Sequence, residues 1–336
     1  MGTINRRQAL VTGAVAGLGW CLGPAFARGA TTLKVGHNMP PQHPIGVRTA
    51  EAAKEISTKT DGRVQVQVFG ASVLGGDLDM LSQLRSGAID VHILSPLVLS
   101  TLVPVSAIAG VPFAFRSYPD IWRAVDGDVG KIVNENVEKT GIVVLGRWWN
   151  TGFRQFLTGK KPINGPADLA GMKVRVPQSP MCVSMFKALG ASPTSLSFGE
   201  VYSALQTGIV DGMEMNLSVI DSSKLYEVQK HIALVNYMWD GMLVLANGKS
   251  LARLPGSDRD VVAASFDAAG MRERADVQTM DTALIAKLQG FGLQVTKPDP
   301  GVFKAALQKT DFYSTWRGKF GDTAWTALEK YAGPLA

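Results

Sequence analysis

Two arginines stand where this sequence could bind an anion. Arg175 lies in KVRVP (173–177), where valines alternate with charged residues as in a strand with one buried face, and Pro177 ends that strand. Arg175 therefore lies at the carboxyl end of a strand, the edge where open α/β sheets bind ligands. Arg154 lies in RWWNTGFRQF (147–156). A guanidinium matches a carboxylate with two hydrogen bonds and keeps its proton, so both suit capture of an organic anion. For Arg175, a solvated surface charge is the alternative.

Aromatic and imidazole side chains add further candidates. Trp148 and Trp149, next to Arg154 in the sequence, could stack on a ligand or pack in the core, and we expect core packing for at least one of them. His37 and His43 flank a loop after the first strand. They could contact a ligand there, or satisfy polar groups of the loop.

The residue sets of common catalytic and cofactor sites are absent from the sequence. Its four histidines form no HExxH motif and no cluster with cysteine at metal-binding spacing, and no G-x-S-x-G motif occurs. The stretch GASVLGGD (70–77) lacks the Lys-Ser/Thr pair of a phosphate-binding loop and is interpreted as a turn. We therefore predict no enzyme activity, no metal and no cofactor, which leaves anion capture as the leading chemistry.

Strands and helices that would position these residues alternate in two series. The first series contains strand TTLKVGH, a helix from Pro44 to near Gly62, strand RVQVQVFG, a helix that stops at Gly87, and the apolar segment IDVHIL. The second contains GIVVLGRWW, KVRVP and a helix through MCVSMFKALG. This alternation predicts an α/β fold with parallel strands.

A short motif occurs in both series. LRSGAID (84–90) and LQTGIVD (205–211) share Leu-x-Ser/Thr-Gly, two apolar residues and Asp, and each ends a helix at a glycine. Such turns are common, so coincidence is the alternative for the motif alone. With similar elements around both copies, we predict two related α/β lobes with a ligand cleft between them. A long helical pattern over 257–290 is predicted to run along both lobes.

Residues 1–27 have the composition of a cleaved export signal. Arg6 and Arg7 precede an uncharged, glycine-rich stretch, and the sequence AFA at 25–27 has small residues at both cleavage-determining positions. The arginine pair favours the twin-arginine route, with general secretion as the alternative. Cleavage removes two arginines and no acidic residue, so the net charge falls from +6 to +4. Because no block of basic residues is interleaved with aromatics, no nucleic-acid partner is predicted.

The mature chain resembles the solute-binding proteins of TRAP (tripartite ATP-independent periplasmic) transporters. The resemblance runs from residue 32 to the end and is densest between Asp168 and Glu214. There, DLAGMKVRVP, LGASP and EVYSALQTGIVDGME follow the family pattern DL-x-G-x-K-x-R-x-P, L-G-A-x-P and EVY-x-AL-Q-x-G-x-x-DG-x-E. The resemblance implies a two-lobed periplasmic binding protein fold, α/β and type II-like, with a hinge and a long helix that spans both lobes.

Function, location and lobe boundaries follow from the same resemblance. Such proteins bind a small organic acid in the periplasm and deliver it to the small and large membrane subunits of a transporter driven by an ion gradient. We assign residues 31–152 and about 241–280 to lobe I, and residues 153–240 and about 281–336 to lobe II. A periplasmic ligand sensor, a periplasmic enzyme and the binding protein of an ATP-driven transporter are the alternatives.

The resemblance also assigns ligand-binding residues. Arg175 corresponds to the arginine that forms the salt bridge to the ligand carboxylate, and Arg154 to one that assists. The other predicted ligand-binding residues are Trp149, Glu214, Met215, Asn216, Asn38 and His37.

Two departures from the family pattern concern the ligand. Many relatives carry Gln-Glu-Asn-Pro where this chain has Met-Glu-Met-Asn (213–216), so Met215 makes that wall less polar or Asn216 replaces the family asparagine. Thr151 stands where many relatives have asparagine. Both departures favour a less polar acid among the aromatic, keto and sugar acids and dicarboxylates that the resemblance allows.

Overall fold

The computed structural model describes residues 30–335, and the predicted export signal at 1–27 lies outside the described residues. The strands are β1 (Thr31–His37), β2 (Val64–Phe69), β3 (Val91–Leu94), β4 (Ile142–Val144), β5 (Trp149–Thr158), β6 (Lys173–Val176), β7 (Ser192–Ser195), β8 (Gly212–Asn216), β9 (His231–Asn247) and β10 (Gln294–Thr296). The helices are α1 (Pro44–Lys59), α2 (Asp77–Ser86), α3 (Pro96–Leu99), α4 (Tyr118–Val125), α5 (Asp128–Glu138), α6 (Pro180–Ala188), α7 (Val201–Gln206), α8 (Leu217–Ser222), α9 (Gly248–Ala252), α10 (Gly256–Gly290), α11 (Pro300–Gln308), α12 (Phe312–Phe320) and α13 (Asp322–Ala332). Short 3-10 helices lie at Pro104–Gly110, Pro166–Leu169, Phe198–Glu200 and Leu225–Glu227. Across residues 30–335, no helix is both long and apolar enough to cross a membrane.

Within the described residues, the ten strands form one sheet in the order β2-β1-β3-β9-β5-β8-β6-β7, with β4 and β10 paired to β9. β1 is parallel to β2 and β3, and β6 is parallel to β7 and β8. We call β2-β1-β3 the first strand group and β8-β6-β7 the second strand group. β5 and β9 run antiparallel at the centre and join the two groups. The parallel pairing predicted from the two series is thus confirmed within each group. It is wrong for GIVVLGRWW of the second series, because this segment forms β4 and the start of β5, which both pair antiparallel with β9.

The repeated motif makes the same hydrogen bonds in both strand groups. In the first copy, the Asp90 carboxylate accepts from the Lys34 N–H (2.8 Å), and the Asp90 N–H donates to the Lys34 carbonyl (3.0 Å). In the second copy, Asp211 makes the corresponding bonds with Lys173, at 3.1 Å and 2.8 Å. Each aspartate therefore ties the start of one parallel strand to its neighbour, and the two copies are structurally equivalent.

This equivalence aligns Arg175 on β6 with Gly36 on β1, because each lies two residues after the matched lysine. A Cβ at Gly36 would lie only 2.9 Å from the Sδ of Met80 on α2. The first group thus has no side chain at this position, and α2 packs closely over β1. Asp77, the first residue of α2, approaches the centre of the molecule as a result.

Two apolar clusters fill the two faces of the sheet. Side chains alternate along a strand, so neighbours in sequence enter opposite clusters. On β5, Phe156 belongs to one cluster and Leu157 to the other, and Leu243 and Val244 divide in the same way on β9. Both faces are therefore covered, as helices on both sides of a sheet require.

Helix α10 packs against elements of both strand groups. Asp276 pairs with Arg48 of α1, which connects β1 to β2, at 2.7 Å. Lys287 pairs with Asp221 of α8, which follows β8, at 2.8 Å. The helix predicted over 257–290 is confirmed, and it spans both groups. The residue boundaries assigned to the two lobes stay predictions.

Candidate ligand-binding site

A small cavity lies where the carboxyl ends of the two strand groups face each other. Its walls bring together five of the eight residues predicted from the sequence: Arg154, Arg175, Asn38, Met215 and Asn216. Its volume is about 30 Å³, enough for about two water molecules. The cavity walls must therefore separate before an organic acid fits between them.

Arg175 enters this cavity as a buried cation without a carboxylate partner. Its side chain is 3% exposed, and its Nε and Nη2 donate to the Leu196 carbonyl at 3.2 and 2.8 Å. Among the described residues, Nη1 has no hydrogen-bond acceptor, and no acidic side chain lies within salt-bridge distance. Burial without a paired charge lowers the pKa of Arg175 to about 10, so the guanidinium is protonated at neutral pH and an incoming carboxylate would stabilise it.

Arg154 is equally buried, but its donors are already occupied. Nε and Nη2 form a two-pronged pair with the Glu214 carboxylate, and Nη1 donates to Asp240 at 2.6 Å. Glu214 also accepts from the Tyr237 hydroxyl at 2.6 Å, and Asp240 accepts from the Ser95 hydroxyl at 2.9 Å. We call Arg154, Glu214 and Asp240 the Arg154 network.

Electrostatics in the Arg154 network oppose those at Arg175. Burial alone would lower the pKa of Arg154, but the charges of Glu214 and Asp240 outweigh it and raise that pKa well above the usual value. Burial raises the pKa of Asp240 to about 6, against the opposing influence of Arg154 and Ser95. Two carboxylates thus hold Arg154 in place and balance its charge, and a contact of Arg154 with the ligand stays a prediction.

Two acceptor groups face the same cavity from the first strand group. Asn38 follows β1 and donates from Nδ2 to Asp77 Oδ2 at 2.9 Å. Asn38 is 8% exposed and Asp77 5% exposed. Within residues 30–335, Asn38 Oδ1 and Asp77 Oδ1 are buried with no hydrogen-bond partner. Burial raises the pKa of Asp77, while His92, Asn38 and Arg175 act to lower it. We call Arg175, Asp77 and Asn38 the Arg175 cluster.

Apolar side chains make up much of the remaining wall. They are Met39, Val98, Pro177, Phe198, Met215 and Met242. Asn38 and Phe198 also line a neighbouring cavity of about 220 Å³ between the two strand groups. The other walls of that cavity include Ala71 and Ser72 on one side and Tyr202 on the other. Movement of Asn38 or Phe198 would therefore connect the central cavity with the outer one.

Three predicted ligand-binding residues lie outside the cavity wall. Trp149 is fully buried, and its indole packs so closely on α10 that a Cβ at Gly270 would lie 2.5 Å from its Nε1. Glu214 is fully buried and pairs with Arg154, but it does not line the cavity. His37 is 1% exposed, at the end of β1, and burial lowers its pKa to about 4. Ligand contacts by these three residues stay predictions.

Sequence reasoning missed two carboxylates of the cavity. Asp77 ends the glycine-rich stretch that was interpreted as a turn, and that turn leads directly into α2. Asp240 is the only acidic residue in the apolar run that forms β9 (His231–Asn247). A lone acidic residue in a long apolar strand was the available indication that Asp240 has a buried partner.

Two other kinds of site were compared with this cavity within residues 30–335. Among residues 30–335, no three His, Cys, Asp or Glu side chains come together as a metal site requires. A larger cavity of about 380 Å³ is lined by Phe113, Phe115, Arg116, Lys304 and others, none of them predicted from the sequence. Arg116 is exposed to solvent there. Size alone does not make a site, because specificity requires buried polar groups that converge.

Comparisons with known proteins identify the family of this chain. The family described as "Bacterial extracellular solute-binding protein, family 7" matches residues 35–313. The chain is 40% identical over 281 residues to protein y4mM of Sinorhizobium fredii, covering 83% of this chain and 52% of that one, and so spans about half the length of this relative. It is 30% identical over 289 residues to the sialic acid-binding periplasmic protein SiaP of Vibrio cholerae, covering 84% and 88%. A TRAP periplasmic solute binding protein from Sulfurospirillum deleyianum, crystallised with succinate, matches with TM-score 0.84 and 33% identity over 90% of this chain and 98% of that one.

Proposed function

Because the chain belongs to family 7 of the bacterial extracellular solute-binding proteins, the solute receptors of TRAP transporters, we propose that it captures one organic acid in the periplasm through Arg175 and delivers it to the transporter's membrane subunits. The family consists of binding proteins for small organic acids and not of enzymes. Relatives bind sialic acid and succinate.

The observation that supports this role is the unpaired guanidinium of Arg175. A buried cation without an anionic partner is costly in a folded protein, and a carboxylate that forms two parallel hydrogen bonds removes that cost. The Leu196 carbonyl occupies Nε and Nη2 and so fixes the plane of the guanidinium. The other edge of the guanidinium, formed by Nη1 and the second N–H of Nη2, is left for two parallel hydrogen bonds to a ligand carboxylate, without further loss of side-chain freedom.

Closure of the two strand groups around the ligand is the proposed mechanism. The acid enters while the groups are apart, and its carboxylate pairs with Arg175 on the second group. The groups then close by bending at β5 and β9, the strands that join them, as in hinge motions of other binding proteins. Closure excludes water and strengthens the ion pair, because the local dielectric falls. The membrane subunits would recognise this closed form.

Removal of the Arg175 charge tests ligand capture directly. We expect Arg175→Ala to weaken binding of the best acid from a thermal-shift screen by at least about 100-fold, since loss of one partner of a buried ion pair costs about 3–5 kcal/mol. Arg253→Ala is the matched control, because the Arg253 side chain is 62% exposed and lies outside the cavity wall. Isothermal titration calorimetry of the two variants makes the comparison, and binding by Arg175→Ala within threefold of wild type would falsify the carboxylate role.

Delivery is tested separately from capture. Uptake of the same radiolabelled acid is measured in cells that lack the gene, with and without a plasmid copy of the wild-type gene. We expect uptake to depend on the gene and to collapse when the ion gradient is dissipated. Normal uptake without the gene, combined with tight binding in vitro, would support the role of a sensor and not of a transport receptor.

A further inference from the structure

We infer that the ligand is a monocarboxylate whose carbon chain carries a hydroxyl or ammonium donor, and that Asp77 and Asn38 receive this donor and select against acids with a second carboxylate. This inference rests on the proposed function, since it takes Arg175 as the anchor of the first carboxylate. It adds a prediction of the functional group that the ligand carries besides that carboxylate.

The two acceptors lie in the same cavity as Arg175 but come from the other strand group. Asp77 begins α2 and Asn38 follows β1, whereas Arg175 lies on β6. A ligand held by Arg175 therefore has its far end toward Asp77 and Asn38 when the groups close. Contacts at both ends would couple ligand recognition to closure.

The hydrogen bond between Asn38 and Asp77 leaves acceptor atoms, and not donor atoms, for the ligand. Asn38 must direct its Nδ2 toward Asp77, because a carboxylate oxygen needs a donor, and the observed bond is 2.9 Å. The amide orientation is thereby fixed, and Asn38 presents its carbonyl oxygen Oδ1. Together with Asp77 Oδ1, this gives two buried oxygens that have no partner among residues 30–335. Buried polar atoms without a partner are rare, so a ligand donor is the expected complement.

A second carboxylate on the ligand would find no cation in this cavity. Within the part of the chain that the structure describes, the only cations in its wall are Arg154 and Arg175, and Arg154 is occupied by Glu214 and Asp240. The two guanidiniums already face three carboxylates, of which Asp77 is the one without a cation. A dicarboxylate would place its second charge against Asp77 and Asn38 Oδ1, both of which repel it.

The neighbouring histidines do not supply the missing cation. His92 on β3 lies close to Asp77, and burial lowers its pKa in spite of the opposing influence of Asp77. The pKa of His37 is lowered to about 4 by burial and by His92. Both imidazoles are therefore neutral at pH 7. Among residues 30–335, the ionisable group that lines the wall at this end is Asp77, and the groups presented there without a partner are the oxygen acceptors Asp77 Oδ1 and Asn38 Oδ1.

The test compares acids of equal length that differ only at the far end. At each length from three to six carbons, the probes are the unsubstituted acid, its hydroxy acids, its amino acids and the dicarboxylate; at four carbons these are butyrate, the hydroxybutyrates, the aminobutyrates and succinate. Dissociation constants are measured by calorimetry at pH 7.5. We expect the best hydroxy or amino acid to bind at least tenfold more tightly than both the unsubstituted acid and the dicarboxylate of the same length.

Asp77→Asn isolates the charge of the carboxylate. We expect this variant to raise the affinity for the dicarboxylate relative to the best donor-bearing acid by at least tenfold, because the repelling charge is gone. Asp258→Asn is the matched control, since Asp258 is 2% exposed but pairs with Arg63 away from the cavity. General loss of stability would lower all affinities together, so only a change in their ratio supports the inference.

The outcomes separate this inference from the proposed function. If wild type prefers a dicarboxylate or an unsubstituted acid, or if Asp77→Asn changes the ratio by less than threefold, the selectivity inference is wrong while carboxylate capture stands. If no acid of any length binds to wild type, carboxylate capture fails and the inference fails with it.

Discussion

Arg154 and Arg175 lie in one cavity, are both 3% exposed, and differ in what balances their charge. Two carboxylates from the chain itself satisfy Arg154, whereas the one partner of Arg175 among residues 30–335 is a backbone carbonyl. The pKa of Arg154 is raised and that of Arg175 is lowered for this reason. Burial of a charge is therefore not enough to identify a ligand anchor; the absence of an internal counter-charge at Arg175 distinguishes the two.

The same difference separates stability from binding. A buried ion pair leaves an uncompensated charge when one partner is removed, so we expect the loss of one member of the Arg154 network to destabilise the fold. Arg175 contributes a charge without a carboxylate partner among residues 30–335, so its desolvation opposes folding, and a ligand carboxylate would offset this cost. The Arg154 network thus supports the cavity wall, and the Arg175 cluster is the part of that wall that we propose for ligand binding.

Matched replacement of the two arginines by methionine gives the largest expected effect. Arg154→Met leaves the carboxylates of Glu214 and Asp240 buried without a cation, so we expect a loss of about 3–5 kcal/mol in the free energy of unfolding. Arg175→Met removes a buried charge without a partner, so we expect a change within about 1 kcal/mol of wild type, or a gain. Urea denaturation of the ligand-free proteins measures both.

Equal losses of stability in the two methionine variants would contradict the distinction between a paired Arg154 and an unpaired Arg175. That result would mean that Arg175 has a structural partner after all, and the leading argument for its role as a ligand anchor would be lost. The double variant Arg154→Met with Glu214→Gln sharpens the test. We expect it to recover part of the lost stability, because one of the two uncompensated charges is removed.

The residue pattern alone could not distinguish Arg175 from Arg154, and only the family resemblance predicted Arg175 as the anchor and Arg154 as the assisting residue. The family and the two-lobed α/β fold predicted from the repeated motif and the pattern around Arg175 are confirmed. Both arginines, however, lie in strands of mixed polarity, and the partner that differentiates them, Asp240, comes from β9. That strand is an apolar run whose antiparallel place at the centre depends on contacts distant in sequence, which local periodicity does not encode.

The residues of the Arg175 cluster were only partly predicted from the sequence, for a related reason. Asn38 was predicted as a ligand-binding residue, whereas Asp77 was assigned to a turn because its stretch is rich in glycine. Gly36 lets α2 pack against β1 and brings Asp77 to the cavity, and only the packed structure reveals this consequence. Glycines in a sequence indicate freedom of the backbone, but not which side chain gains access through it.

The pH dependence of stability tests how His43 connects the first strand group to β5, the strand that carries Arg154. His43 is fully buried and caps α1: its Nδ1 accepts from the Ile45 N–H at 3.1 Å, and its Nε2 lies 3.2 Å from the Ser218 hydroxyl. Ser218 donates to the carbonyl of Thr151, a residue of the cavity wall on β5, at 3.0 Å. His43 thereby links the first strand group to β5, three residues before Arg154.

Burial, with a smaller contribution from His37, lowers the pKa of His43 from 6.5 to about 3. The folded protein thus holds fewer protons than the unfolded chain, and this contribution to stability is complete above pH 6.5 and is lost as the pH falls toward about 3. From pH 6.5 to 5 the loss is about 2 kcal/mol. His43→Asn keeps an acceptor for the helix cap but does not titrate.

Urea denaturation at pH 7 and pH 5 is the measurement for His43→Asn. We expect wild type to lose about 2 kcal/mol more than the variant over this interval, because every other titrating group is common to both proteins. Parallel pH dependence in the two proteins would show that His43 titrates normally. The contact of His43 with Ser218, which links the first strand group to β5, would then not exclude water as the burial of His43 implies.

The smallest expected effect concerns Trp149, which supports the strand of Arg154 from behind. A Cβ at Gly270 would lie 2.5 Å from Trp149 Nε1 and 2.6 Å from its Cδ1. Glycine to alanine within a helix normally stabilises by about 0.5–1 kcal/mol, whereas overpacking of a core costs about 1–3 kcal/mol. Trp149 is fully buried between β5 and α10, so we expect the overpacking cost to exceed the helical gain and Gly270→Ala to lose about 1–2 kcal/mol.

Gly290→Ala in the same helix is the control, because nothing lies within 4 Å of the added Cβ, and we expect it to be neutral or to stabilise by up to about 1 kcal/mol. Thermal denaturation of the two alanine variants makes the comparison. A gain of stability in Gly270→Ala would mean that the Trp149 indole moves aside easily. A mobile indole next to the cavity strand is what the predicted stacking on a ligand requires, whereas a fixed one restricts Trp149 to holding β5, and with it Arg154, against the long helix.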